Sequence, residues 1–148
     1  MIRVPATDGR SIRMSVRAML VAWAGFLLSG FLAARVVEPD PRGFGTHTQF
    51  GLPGCSIQQV FGRPCPGCGM TTSFAHFVRG DLVAAARANP AGLLLASLCL
   101  IMIPWCLVTA IRGELWLTEE PLTLIVWAIV TIGVVALVAW TPGFFRSI

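Results

Sequence analysis

AGLLLASLCLIMIPWCLVTAI, residues Ala91 to Ile111, carries no charged side chain from end to end. A hydrocarbon layer about 30 Å thick is crossed by about 20 apolar residues in an α-helix, and this stretch supplies them. Leu93, Leu94, Leu95, Leu98, Leu100, Ile101, Ile103, Leu107, Val108 and Ile111 each favour insertion by about 0.3 to 0.6 kcal/mol. Pro104 interrupts the run. Proline is tolerated in membrane helices, so a kink between Leu100 and Val108 is expected rather than a break. Outward on either side, Ala18 to Val37 and Leu122 to Trp140 have the same character, with Arg35 the one charge among them. The expected fold is therefore all-α, an integral membrane protein with three transmembrane helices.

The whole composition agrees. Of 148 residues, 55% are hydrophobic and only 12% charged, and the mean hydropathy is +0.76. Soluble domains carry roughly 25% charged residues. Arg10, Arg13 and Arg17 precede the first apolar run, as in a signal peptide, but the run is long and Leu32-Ala33-Ala34-Arg35 offers no cleavage pattern, so a retained helix is expected. The net charge of +4 comes from arginines scattered along the chain. They form no basic stripe, so nucleic acid is not expected as a partner. Arginines near the helix ends number five on each side, and the cluster before helix one tips the expectation to a cytoplasmic N-terminus by the positive-inside bias, in a cell (inner) membrane protein.

These boundaries divide the chain into a basic tail (1–17), helix one (18–37), a long insertion (38–90), helix two (91–111), a connector (112–121), helix three (122–140) and a tail (141–148). Within the insertion, Phe74, Phe77 and Val78 share one face of a segment from Thr71 to Arg79, predicting a short amphipathic helix lying on the membrane. Gly80 supplies a left-handed stop. Asp81 is suited to N-cap a second short helix over 82–88, and Asn89-Pro90 repeats the device for helix two, Asn capping and Pro taking the first helical position. In helix one, Gly25, Ser29 and Ala33 share a face that lets another helix approach closely. Packing within the chain is the simpler account of that face; contact with another membrane protein or a second copy is the alternative. Trp23, Trp116 and Trp140 sit near helix ends, as interfacial anchors do.

Chemistry concentrates in Arg63-Pro64-Cys65-Pro66-Gly67-Cys68-Gly69-Met70-Thr71-Thr72. In such a turn two sulfurs can face one point, and a glycine just after the second cysteine can take positive φ and aim N–H groups at a thiolate. Metal, disulfide and redox thiol all fit. Cys65 and Cys68, with Cys55 as a third sulfur, form a candidate metal site, and zinc is among the ions that these donors suit. His76 is a poor fourth ligand, since a helix beginning near Met70 would put it about 9 to 12 Å from Cys68 along the axis. His47 lies in the loop with nothing to position it. In the redox reading Cys68 sits at a helix N-terminus that lowers its pKa, with Cys65 as its partner. A disulfide from Cys55 to either knuckle cysteine would staple the loop. Cys99 and Cys106 are expected to pack as small hydrophobes, being two turns and roughly 10 Å apart. No Ser-His-Asp set, phosphate loop or carboxylate pair points to an enzyme, and the helix centres lack a charged transport site.

From Cys55 through Pro90 the chain resembles a family of small bacterial membrane proteins known only as domain of unknown function 2752, with the signature CPxCGxTR followed by GD and NP. The corresponding residues are Cys65 to Thr72, then Gly80-Asp81, then Asn89-Pro90. Thr72 stands at the place of the signature's arginine. The resemblance implies a membrane location and a cysteine site, and no reaction. The expectation is a non-enzymatic protein whose cysteine cluster, by metal or disulfide, shapes the insertion for docking to another membrane component. The alternative is a thiol-disulfide or electron-transfer protein at the membrane surface.

Overall fold

The computed structural model describes residues 12–62, 65–115 and 120–145. They form α1 (Met14–Val36), a 3-10 turn (Thr46–Phe50), α2 (Ser56–Phe61), α3 (Met70–Phe77), α4 (Leu82–Ala88), α5 (Pro90–Arg112) and α6 (Pro121–Phe145), with no strand among the described residues. The protein is all-α. Helices α1, α5 and the part of α6 from Pro121 to Thr141 are long and apolar enough to cross a membrane. Trp116 lies outside the described residues, as do Arg63 and Pro64. α1 already begins within the stretch read as a basic tail, and α6 runs past Trp140. Hydropathy marks where lipid solvates a helix, whereas the backbone continues until its hydrogen bonds find another use.

α5 shows the local logic of its boundaries. Asn89 lies in extended backbone and its side chain accepts the Gly92 N–H at 3.0 Å, while Pro90 occupies the first turn. Gly113, at φ 73°, ends the helix in the left-handed conformation and donates to Thr109 O. Pro104 lies inside without breaking it. Helices α3 and α4 are the short pair between the spans, and α2 adds a single six-residue helix to the loop before them.

The core is built from small residues. Ala24 and Ala34 of α1 are buried, as are Ala91, Ala96, Cys106, Thr109 and Ala110 of α5 and Ala75 of α3. α1 packs on α5 and α3, and α5 packs on α1, α3, α4 and α6. Small side chains bring backbones close where lipid gives apolar surfaces no reason to prefer one another. Gly92 illustrates the closeness, since a Cβ there would lie 2.8 Å from Ser73 Cβ. The seam of α1 differs from the expected one. Gly25 and Ser29 are exposed, Ala33 is half-buried, and a Cβ on Gly25 would meet nothing within 4 Å, so among the described residues Gly25 and Ser29 lie outside the contact. The alanine face beside them takes that place. Nor does α3 simply lie on the bilayer: Phe74 and Phe77 meet Phe31 of α1 with ring centroids 5.8 and 6.1 Å apart, while Thr72, Ser73 and Ala75 are buried.

Two arginines close the helix ends. Arg79, following α3, donates through Nη1 to Ala34 O at 3.2 Å and Ala75 O at 2.6 Å, and through Nη2 to Arg35 O at 3.1 Å and Val37 O at 2.7 Å. At the far end of the pair, Arg17 of α1 donates to Ala110 O and Ile111 O of α5. The last four carbonyls of a helix have no intrahelical donor and carry the negative end of its dipole. Each guanidinium therefore meets both a geometric and an electrostatic need. Arg79→Gln should lower stability by about 3 kcal/mol, the scale of losing charged hydrogen bonds at a part-buried site. Arg79→Lys should restore only a fraction, because an ammonium lacks the planar fork. Thermal unfolding of the detergent-solubilised protein checks both, and an unchanged midpoint in Arg79→Gln would remove this clamp from the account.

Candidate metal centre

Cys65 to Gly69 fold as a tight knuckle in which Cys68 N–H donates to Cys65 O at 2.9 Å and Met70 N–H to Gly67 O at 3.2 Å. The turn also aims a donor at sulfur, Cys65 N–H lying 3.2 Å from Cys68 Sγ. Gly69 makes this possible. Its φ is +86°, and a Cβ would fall 2.5 Å from Ala88 O and 2.6 Å from Gly43 O. The second support comes from Asn89, whose Nδ2 donates to Pro66 O at 3.1 Å and Cys68 O at 3.0 Å. The side chain that caps α5 thus also holds the knuckle.

Cys55 arrives from another direction, as the residue before α2. Its sulfur and those of Cys65 and Cys68 all lie within 4.8 Å of one another, with Cys65 and Cys68 at 3.3 Å. All three are half-buried free thiols. A tetrahedral ion with Zn–S bonds of about 2.3 Å sets its sulfurs about 3.8 Å apart, a separation inside the observed range. Among the described residues, no histidine or carboxylate joins the group. His47 Nε2 lies 3.2 Å from Pro53 O, and His76 Nδ1 lies 3.9 Å from an Asp81 oxygen. Asp81 itself accepts the Ala84 N–H at 2.9 Å, and Gly80 has φ 80°.

Cys55 and Cys68 are shifted in opposite directions. The Gln58 N–H, followed by hydrogen bonds from the neighbouring thiols, lowers Cys55 to about 7. Burial first, then hydrogen bonding with Cys65 and Cys55, pushes Cys68 up to about 12. This reverses the expectation that Cys68 is the activated thiolate. Gly69 stands between Cys68 and the first turn of α3, so the cost of desolvation outweighs the helix dipole.

Thr72, at the place of the signature's arginine, is fully buried with its hydroxyl 2.8 Å from that of Thr46. Thr46 Oγ1 also accepts the Asp40 N–H at 2.9 Å, so the pair ties the start of the insertion to α3. Asp40 in turn is held down to about 2 by its hydrogen bonds with the Arg42 side chain and backbone. Sequence reasoning missed Thr46 and the amide of Asn89. The cap accounts for the Asn89 oxygen alone, and two donors left without partners on a buried side chain were the available signal.

Residues 55–103 match the family model described as protein of unknown function (DUF2752). The matched segment runs from the first sulfur through the knuckle and both capped helix starts into α5. No curated protein and no solved structure matches the chain.

Two glycines give a paired test. Gly69→Ala should unfold the knuckle, because it meets both left-handed strain and backbone oxygens. Gly80→Ala, at φ +80° but with nothing within 4 Å, should cost only the strain of about 1 kcal/mol. Thiol-reactivity rates of Cys65 and Cys68 in the two variants read the difference, and equal rates would show that the Gly69 contacts do not matter.

Proposed function

We propose that this is a small multi-pass protein of the cell membrane, non-enzymatic, whose Cys55, Cys65 and Cys68 bind one thiophilic cation, with zinc suiting the donors. The bound ion fixes the insertion as a docking surface for another membrane component. The N-terminus lies in the cytoplasm and the insertion on the opposite side. One observation carries the reading: three sulfurs from two separate segments lie within 4.8 Å of one another. A disulfide would use two and leave the third without a purpose, whereas a cation uses all three. Each thiol must lose its proton to bind, and the hydrogen bonds from the Gln58 and Cys65 N–H groups stabilise sulfur as an anion.

The redox alternative draws on the 3.3 Å approach of Cys65 to Cys68. It requires a reversible couple between them, and the high pKa of Cys68 weighs against that thiol as the attacking group. Metal analysis combined with thiol titration separates the two readings. The expected result is about one zinc per chain, in keeping with a single sulfur cluster, lost in Cys65→Ser and kept in Cys99→Ser. Protein with no metal, no disulfide and the same stability in Cys65→Ser would end the structural reading. Reversible oxidation of Cys65 and Cys68 in a metal-free sample would favour the alternative.

A further inference from the structure

A cleft of about 320 Å³ opens between the knuckle, the end of α4, the start of α5 and the last turns of α6. One wall is apolar, formed by Phe44, Ala136, Ala139 and Trp140. The other is cationic. Arg42 and Arg87 both line the cleft, and among the described residues no carboxylate does. Arg42 is engaged, its Nη2 2.7 Å from Asp40 Oδ2. Arg87 is exposed and has no hydrogen bond or ion pair among the described residues. Pro90 also lines the cleft but offers no N–H, and Asn89 takes the N–H groups of Gly92 and Leu93, which leaves Arg87 as the donor that faces it.

The position of this cleft narrows its occupant. It lies where α5 and α6 meet the insertion, with Trp140 near the end of an apolar helix, as interfacial anchors are. An exposed guanidinium selects an anion, and the alanine and tryptophan wall continues down the apolar helix α6. A volume at the lower end of small-ligand sites, about 300 to 1,000 Å³, suits a headgroup rather than a whole lipid. We propose that the cleft binds the anionic headgroup of one membrane phospholipid, its phosphate at Arg87, its first acyl carbons along Ala136, Ala139 and Trp140. Cys65 and Cys68 also line the cleft, so lipid binding and zinc content are read together.

Native mass spectrometry of the full-length protein in detergent, titrated with phosphatidylglycerol or with phosphatidylcholine of the same chains, tests it. The expected result is one phosphatidylglycerol bound in preference to phosphatidylcholine, and binding about fivefold weaker in Arg87→Gln, the scale of one interfacial charge. Arg87→Lys should keep most of the affinity. Arg35→Gln, which removes an exposed charge on the same side outside the cleft, should leave binding unchanged. Equal binding of the two lipids, or equal losses in Arg87→Gln and Arg35→Gln, would overturn the proposal. So would displacement of the lipid by millimolar inorganic phosphate, which would mark a site for free anions. Zinc content read in the same samples keeps a failure here distinct from a failure of the metal reading.

Discussion

Every hydrogen-bonding atom of the Asn89 side chain is committed, and the rest of the structure depends on that commitment. Oδ1 accepts from Gly92 and so starts α5, while Nδ2 reaches back to the carbonyls of Pro66 and Cys68. The main-chain oxygen of the same residue accepts from Ser73 on α3. A single side chain, 5% exposed, thereby joins the start of a spanning helix to the turn carrying two of the three sulfurs. A buried amide with all its bonds made is rigid, because any rotation leaves a donor or acceptor without a partner. Movement of the knuckle relative to α5 is therefore costly.

Around this joint the protein uses the same device at both ends of the α1–α5 pair. Arg79 and Arg17 bind main-chain carbonyls at the C-termini of α1 and α5. Between them the helices meet through alanines, a cysteine and a threonine. Close approach multiplies weak dispersion contacts, and the arginines satisfy the helix ends where carbonyls would otherwise compete for interfacial water. The sulfur cluster and the adjoining cleft are set on this frame, on the side where the short helices gather.

The three spans and the caps Asp81 and Asn89 are local matters and were legible in the sequence. Apolar length decides insertion, and a cap acts within three residues of itself. The packing face of α1 was not legible. Gly25, Ser29 and Ala33 form as good a small-residue face as the alanines beside them, and nothing local to α1 distinguishes the two. The choice depends on α5 and on Arg79, which is distant in sequence.

The site divides in the same way. Two sulfurs separated by a proline and a glycine can meet whatever surrounds them, so the sequence alone determined the Cys65–Cys68 knuckle and the freedom of Gly69 to take a positive φ. Cys55 was legible as a candidate third sulfur, but its approach to the knuckle, the opposite shifts of Cys55 and Cys68 and the cationic cleft needed tertiary structure. Burial and the placing of Arg87 and α6 around one cleft arise only when distant segments share a space, and the energy of a charge depends on everything around it.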